Sequence, residues 1–500
     1  MKKIAVLDTT LRDGEQTDHV SFSPDEKMII AQNLLAIVGV DKIEIGSCRV
    51  SDREKDAICN ISAWAKNNNF LDRISVLAFA DGEKSVNWLK DTACKTVNLL
   101  TKGSRKHCEF QLGKTIGQHI SDIEKTLNFA EKNDIKCNIY LEDWSNGIQD
   151  DAEYVRELCA FLTKSCAKNL ILCDTLGILN PWKTQEYISK MLDNFPETLF
   201  EFHCHNDYGM AVANSIYAVR AGISCIHGTI NGLGERAGNT NLIDFSISAR
   251  DHLCVELGID ETKLCHISSI VERFSGKKLA HNSPIVGRDV FTQTAGIHAD
   301  GDKKGKLYIS KINPERFNRD TNYALGKMSG NGSLSMNLDK LGILLTDEQK
   351  RFVLQKIIAM GDKKESVTIH DLPFLVADAI GNDAIKKFEI LECIIISSTT
   401  LLPIANVKIR YLSTEYCESS SGNGGYDAFM NTIRKISTQT GMLIPELLDF
   451  EVHIPQGGKT NALVETVIQW QDNVRTVGVS SDQIMSAICA TEKAINIFAK

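Results

Sequence analysis

Short apolar runs recur along the first half of the chain, separated by longer stretches with helical period. The runs are IAVLD (4–8), KIEIG (42–46), ISVLAF (74–79), TVNLL (96–100), KCNIYL (136–141), LILCD (170–174), FEFHCH (200–205) and CIHGTI (225–230). Segments 25–37, 121–133, 151–164 and 182–194 place apolar residues at i, i+3 and i+4, which predicts amphipathic helices. Eight strands alternating with helices over about 250 residues predict an α/β fold, a closed (β/α)8 TIM barrel. A doubly wound open sheet is the competing arrangement. Polar residues gather just past the strand ends: Asp8 to Glu15, Glu142 and Asp143, Asp174 and Thr175, His203 to Asp207, and NGLGERAGN at 231–239. In a barrel all these ends meet on one face, where such folds place their active sites, and that convergence favours the barrel.

From about residue 270 the alternation stops. Segment 276–330 is Gly-rich and basic, and 345–384 reads as two or three helices. Strand patterns return near 388 as FEILECIII, IANVKIRYL and EYCESS, then the loop SGNGG and a helix over 427–438. A second round runs LDFEVHIP, NALVETVIQW and VRTVGVS, then a helix over 482–498. Two βββα units make an internal duplication, and one alone would leave a sheet face bare, so they are expected to pack together. The expected divisions are a barrel over 1–270, a helical linker subdomain over 271–387 and a duplicated C-terminal domain over 388–500.

Composition changes this picture little. Apolar residues at 43% and charged residues at 24% suit a soluble globular chain, and a net charge of −8 argues against nucleic acid or an anionic membrane as partner. No apolar run reaches the length of a membrane span, and the opening MKKIAVLDTT is too short in apolar residues for a signal peptide. The 15 cysteines include no C-x-x-C pair, which fits reduced thiols in a cytoplasm.

The candidate chemistry starts from FHCHNDYG (202–209). On a strand, His203 and His205 face one way and Cys204 the other. Two imidazoles on one face can ligate a metal, or they can be satisfied structural histidines. LDTTLRDGEQ (7–16) places Arg12, Asp13 and Glu15 just past strand 1. That is either a solvated loop or a source of a carboxylate ligand with an arginine for a substrate carboxylate or an oxyanion. One carboxylate with two imidazoles suits Zn²⁺, Mn²⁺, Fe²⁺ or a tolerant Mg²⁺ site.

LDTTLRDGEQ, HCHNDYGMAVAN (203–214), NGLGERAGN and QTAGIHADG (293–301), in that order, resemble the acyl-CoA-condensing synthases of the DRE-TIM metallolyase superfamily. That family includes the 2-isopropylmalate, homocitrate and citramalate synthases, and the resemblance spans nearly the whole chain. VNLLTKGS (97–104), NIYLEDWSNG (138–147), CDTLGIL (173–179), GRDVFTQTAGIHADGDKKGKLY (287–308) and GGYDAFMN (424–431) are most similar to its citramalate-forming branch.

The resemblance implies condensation of acetyl-CoA with a small 2-oxo acid and release of CoA. It implies Asp13, His203 and His205 as ligands of a divalent metal (Mn, Mg or Zn), with Asn239 completing or supporting the site. Arg12 would stabilise the oxyanion and Thr175 would hold the substrate carboxylate. Glu142 and His298 are the candidates for moving the acetyl methyl proton. Asp300, Lys306, Leu307 and Tyr308 lie in the segment matched to acetyl-CoA binding, where Lys306 replaces an Asn found in close relatives. The His298 segment would reach the active site of a partner subunit, making a homodimer the catalytic unit.

Leu77, Leu100 and Tyr140 are expected to shape the oxo-acid pocket, with core packing as the alternative role for each. Tyr140 stands where isopropylmalate synthases carry a small serine, which points to pyruvate and to (R)-citramalate as product. The C-terminal domain resembles a module that binds an end-product amino acid, here isoleucine. Gly424, Gly425, Tyr426, Asp427, Gly457 and Gly458, in two Gly-rich loops, are its candidate contacts, though the glycines could simply make tight turns. Asn423 stands where many relatives carry an acidic residue.

The competing functions are a 2-isopropylmalate synthase, a homocitrate synthase, a metal-dependent hydrolase, and an amino-acid-sensing protein with an inactive barrel. Homocitrate chemistry would need a basic group deep in the pocket, and a hydrolase would carry its H-x-H on strand 1. An inactive barrel would have little reason to keep Arg12, Asp13, Glu142, His203, His205 and His298 together.

Overall fold

The eight apolar runs form eight parallel strands: β1 (Ala5–Asp8), β2 (Lys42–Ser47), β3 (Ile74–Phe79), β4 (Thr96–Lys102), β5 (Lys136–Glu142), β6 (Leu170–Asp174), β7 (Phe200–Cys204) and β8 (Cys225–Gly228). They pair in sequence order, and β1 pairs with β8 to close the barrel, which excludes the open sheet. The computed structural model describes residues 2–362, 367, 369, 371–373, 375–376, 387–454 and 463–499. The chain forms two units, Met1–Phe291 with Lys311–Asp320, and Thr292–Ser310 with Thr321–Lys500.

In the first unit six of the ten helices begin at a side-chain cap. Ser23 and Glu26 make a reciprocal capping box at α1 (Pro24–Gln32), and Ser51 accepts from Glu54 N at α2 (Asp52–Asn67). After the short α3 (Lys84–Leu89) comes α4 (Ile116–Lys132), where Thr115 and Gln118 repeat the capping box. That helix starts five residues before the segment the apolar pattern marks. Then come α5 (Trp144–Asp150), α6 (Ala152–Leu162), α7 (Pro181–Asn194), α8 (Ala211–Ala221), α9 (Leu242–Leu253) and α10 (Leu264–Ser275). The segment predicted as one helix over 25–37 instead widens into a π-turn over Asn33–Val38 and ends at Gly39, with φ of 85°.

The main apolar core lies between the barrel and these helices, whereas the barrel interior combines polar side chains with a small apolar cluster of Leu77, Leu100, Tyr140, Ile171 and Cys173. Strand alternation sends Glu44, Asn98, Asn138, Tyr140, Glu201, His203 and His227 inward, and all are buried. The cross-strand register sets Asn98 beside Asn138, Leu100 beside Tyr140, Lys102 beside Glu142, and His203 beside His227. Cys204 faces outward from the barrel as expected, yet it is buried, with Sγ 3.6 Å from Asp174 Oδ2 and 3.8 Å from Asn214 Nδ2 of α8.

In the second unit, β9 (Thr292–Gln293) pairs with β10 (Asn322–Tyr323) beside α11 (Gly296–Gly305), α12 (Asn331–Leu341) and α13 (Asp347–Asp362). Nothing in the apolar pattern announced α11, which holds three glycines. Its register is set by packing: Gly296 lies against Gly330, and Gly301 makes room for the Tyr308 ring. The two βββα rounds form two three-stranded antiparallel sheets. The first comprises β11 (Phe388–Ile396), β12 (Ile404–Tyr411) and β13 (Thr414–Ser421) with α14 (Gly425–Thr440). The second comprises β14 (Leu447–His453), β15 (Val464–Trp470) and β16 (Arg475–Ser480) with α15 (Gln483–Phe498). They share a core, since Ile488 and Ile495 of α15 pack with Phe388, Val407 and Phe429. Asn496 fastens the join by accepting from Phe388 N at 2.9 Å and donating to Phe388 O at 2.7 Å.

Candidate active site

The turn after β1 is clamped before any ligand enters. Asp8 accepts from Thr10 N and Thr10 Oγ1 at 2.9 and 3.0 Å, and Thr9 O accepts from the N–H groups of Arg12, Asp13 and Gly14. Burial pushes the Asp8 carboxyl up to about 7. Lys27 reaches in from α1, donating to Leu11 O and pairing with Glu15 and Glu54 at 2.7 and 2.6 Å. These contacts hold Arg12 and Asp13 over the barrel mouth.

His203 Nε2 approaches Asp13 Oδ2 to 3.1 Å, and His205 Nε2 lies 3.9 Å from it. His205 sits one residue past β7 and is fixed by an isolated bridge to Asn239. Burial opposes ionisation of Asp13, but Arg12 and the two imidazoles outweigh it and hold the carboxyl far below the usual range. Burial lowers both histidines, His205 to about 4, so their ring nitrogens keep lone pairs at neutral pH.

Both Asp13 carboxylate oxygens and Asn239 Oδ1 are buried without accepting a hydrogen bond. Buried acceptors left so are costly. One carboxylate and two imidazoles, their ligand atoms within 4.8 Å of one another, fit a divalent cation. A second cluster, Glu201, Cys225 and His227, meets the same spacing. There the donors already satisfy each other, and the Lys42 ammonium pairs with Glu201 at 3.1 Å, which does not suit a cation.

A cavity of 150 Å³ opens beside this cluster. Arg12, Asp13, Leu77, Leu100, Tyr140, Glu142, Thr175, His203 and His205 all line it, so nine of the residues singled out in the sequence converge on one space. Gln16, Cys173 and Glu235 also line it and were not foreseen. Tyr140 is 2% exposed, and its ring meets His203 edge-on with centroids 5.7 Å apart. Thr175 Oγ1 accepts from Asp143 N at 2.8 Å, which leaves its hydroxyl proton free to donate.

Four supporting residues carried no individual role in the sequence. Arg236 braces three loops, donating to Asp207 Oδ1 and Oδ2 at 2.8 and 3.0 Å and to Thr175 O at 2.7 Å. Lys102 pairs with Glu142, and its backbone is pinned on both sides: Lys102 N donates to His119 Nε2 at 3.0 Å, and Tyr154 OH donates to Lys102 O at 3.0 Å.

Burial lowers His119 to about 4, against roughly 6.5 for a free imidazole. The unfolded chain therefore takes up this proton first as pH falls, so the contribution is intact above pH 6.5 and is lost between 6.5 and 4. Full loss corresponds to about 3 kcal/mol. His119→Gln is expected to flatten the fall in urea midpoint between pH 7 and 4.5, and an unchanged slope would contradict that assignment.

The remaining candidates lie in the second unit. His298 is on α11 with its ring over Tyr308, centroids 4.1 Å apart. Asp300 pairs with Lys304, Lys306 ends the helix in a left-handed turn with φ of 54°, and Leu307 is exposed. At the start of α14, Gly424 is the cap residue, and Gly425 lies where an added Cβ would come 2.6 Å from Ile484 Cδ1. The Tyr426 phenol bonds Thr491 at 2.7 Å, and Asp427 Oδ2 accepts from Asn423 N at 2.9 Å. A carboxylate of the chain itself thus already uses an N–H group at this helix start. Gly457 and Gly458 lie outside the described residues.

Comparison with known proteins adds three family matches. The HMGL-like profile matches residues 3–271, the homocitrate synthase post-HMGL domain-like profile 285–365, and the LeuA allosteric (dimerisation) domain 366–499. The chain is 31% identical to the (R)-citramalate synthase of Methanocaldococcus jannaschii, over 99% of both chains. It is 32% identical to the 2-isopropylmalate synthase of Acetivibrio thermocellus, over 99% of this chain and 98% of the relative. Among solved structures, an HMG-CoA lyase from Bacillus subtilis superimposes with a TM-score of 0.50 at 21% identity, covering 57% of this chain and 97% of the lyase, which supports the barrel fold alone.

Proposed function

The chain belongs to the HMGL-like family and condenses acetyl-CoA with a 2-oxo acid, and from that premise we propose that the oxo acid is pyruvate and the product (R)-citramalate. Overall identity does not separate this reading from a 2-isopropylmalate synthase, since relatives of both names match at 31% and 32% identity. The observation that carries it is the buried Tyr140 ring, which lines the 150 Å³ cavity at the position where the resemblance expects a small serine in an isopropylmalate synthase.

The family uses a divalent metal, and in this reading Asp13, His203 and His205 hold it, with Asn239 Oδ1 as a fourth donor. When bound, the metal supplies Lewis-acid polarisation of the ketone. Arg12 is the group beside the developing oxyanion, and the free Thr175 hydroxyl donates to the pyruvate carboxylate. Glu142 takes the acetyl methyl proton, and His298, contributed by a second copy of the chain, is the other group proposed for that step. The electron pair released forms the new bond to the ketone carbon, and water then cleaves the thioester to free CoA.

Gly234 supplies a direct check on Asn239. Its φ is +151°, and an added Cβ would overlap Asn239 Nδ2. Gly234→Ala is expected to weaken Mn²⁺ binding about 10- to 100-fold by calorimetry. Unchanged affinity would remove Asn239 from the site.

The C-terminal module is read as the receptor for isoleucine, an end product downstream of citramalate, and the catalytic unit as a homodimer. The match to a LeuA allosteric (dimerisation) domain supports both readings. Fifteen unpaired cysteines fit a reducing cytoplasm. No helix among the described residues is long and apolar enough to cross a membrane. The function is tested by isolating the product formed from acetyl-CoA and pyruvate. Stoichiometric (R)-citramalate and free thiol are expected, and 2-isopropylmalate formed preferentially from a mixture of pyruvate and 2-oxoisovalerate would replace this reading with its rival.

A further inference from the structure

A line of polar side chains crosses the barrel interior to Tyr140 and Arg12, and the reaction as described makes no use of its first three members, Lys42, Glu201 and His227. Lys42, at the start of β2, is 34% exposed at its side chain and donates to Glu201 Oε1 at 3.1 Å. Glu201 Oε2 lies 2.8 Å from His227 Nε2, and His227 Nδ1 lies 3.2 Å from Tyr140 OH. Arg12 Nη2 donates to the same phenol oxygen at 3.4 Å, while Arg12 Nε is held by Glu44. Glu201, His227, Tyr140 and Glu44 are all buried.

The direction of each bond follows from the one before it. Glu201 Oε1 accepts from Lys42 Nζ at 3.1 Å and from Asn169 Nδ2 at 2.8 Å, so the carboxylate acts as an acceptor. His227 Nε2 then carries the hydrogen that faces Glu201, and Nδ1 is turned to the Tyr140 phenol. The phenol proton has two acceptors in reach, Glu44 Oε2 at 3.4 Å and His227 Nδ1 at 3.2 Å, and the shorter contact takes it. The phenol oxygen is left to accept from Arg12. Edge-on contacts with His203 and His227, at centroid distances of 5.7 and 5.6 Å, fix the ring itself.

We propose that Lys42, Glu201 and His227 are a positioning chain that sets the hydroxyl direction and tilt of Tyr140, and through it the aim of Arg12 into the cavity. They touch neither substrate nor metal, and they act on turnover and on oxo-acid choice through Tyr140. The inference rests on the function proposed above.

Glu201→Gln is the discriminating variant because it keeps the volume. A glutamine amide would turn its oxygen to the Lys42 ammonium and its NH₂ to His227 Nε2, reversing the tautomer. Nδ1 would then present a hydrogen to the phenol and compete with Arg12 for it. In the metal-loaded full chain, Glu201→Gln is expected to lower kcat about tenfold with the KM for acetyl-CoA unchanged. Its preference for pyruvate over 2-oxobutyrate should fall about fivefold. Tyr140→Phe should lower kcat similarly, and the double variant should be no worse than the poorer single one, because both break the same chain. Lys42→Met, at the partly exposed end, should shift kcat in the same direction by less and serves if Glu201→Gln folds poorly.

Multiplied effects in the double variant, about 100-fold together, would overturn the proposal, as would wild-type kinetics in Glu201→Gln. A second arm needs no turnover. In the Mg²⁺-loaded protein labelled with ¹⁵N-histidine, His227 should show protonated Nε2 and a hydrogen-bonded, unprotonated Nδ1, with the pattern reversed in Glu201→Gln. A protonated Nδ1 in the wild type overturns the chain. An enzyme that turns over no oxo acid fails the proposed function instead, and the spectrum still decides the positioning chain.

Discussion

Asp13→Ala and His203→Ala are each expected to lower thiol release from acetyl-CoA by at least about 10³-fold while the protein stays folded. Both residues are buried, and their ligand atoms converge from opposite ends of the barrel sequence, β1 and β7. Removing Asp13 deletes the only carboxylate of the donor set and leaves Arg12 without the partner at 3.4 Å that helps orient it. Removing His203 deletes one imidazole and an edge-on support of Tyr140. Metal content by elemental analysis should fall with activity in both variants. Retained metal together with wild-type turnover in either one would remove that residue from the site. Asp13→Asn separates charge from shape: it keeps the volume, loses the anion, and is expected to bind metal weakly.

The second large effect concerns substrate choice. Tyr140→Ser is expected to raise the kcat/KM ratio of 2-oxoisovalerate to pyruvate about 100-fold. An overfilled pocket rejects a branched substrate by overlap, whereas a roomy apolar pocket rejects a smaller one by only about 1–3 kcal/mol. The gain should therefore come from new activity on the larger acid more than from lost activity on pyruvate. Truncating so buried a ring also costs about 3–5 kcal/mol of stability, so the melting temperature should drop. Leu77→Ala and Leu100→Ala alter other walls of the cavity and should move the ratio less. If Tyr140→Ser leaves the ratio unchanged, the phenol ring does not set the oxo acid.

The barrel was legible because parallel strands covered by helices read as short apolar runs, and all eight runs became strands. The H-x-H of β7 was legible because alternation alone puts His203 and His205 on one face. The polar groups inside the barrel went unread although the same rule places them: Glu44, Asn98, Asn138, Glu201 and His227 each sit at an inward position of their strand. What alternation could not supply was pairing across the barrel. Lys42 meets Glu201 across 159 residues of sequence, and Tyr140 meets His227 across 87. Lys102 and Glu142 are register partners on neighbouring strands, a relation visible only once the register of β4 and β5 is known. Arg236 stood in a motif that was recognised, yet its bracing of Asp207 and Thr175 depends on three loops meeting in space. Helix α11 was hidden for a different reason. Three glycines in ten residues lower its intrinsic propensity, and close approaches to Gly330 and Tyr308 decide its place.

The central claim is metal-dependent condensation of acetyl-CoA with pyruvate in a cavity sized for a methyl group. The most direct measurement is the rate of free-thiol release by the metal-loaded protein with pyruvate, 2-oxobutyrate, 2-oxoisovalerate and 2-oxoglutarate, each with and without chelator. The account predicts the highest kcat/KM for pyruvate, at least about 10²-fold above 2-oxoisovalerate, and loss of all turnover with chelator. A higher kcat/KM for 2-oxoisovalerate than for pyruvate, or thiol release that survives removal of the metal, would contradict it.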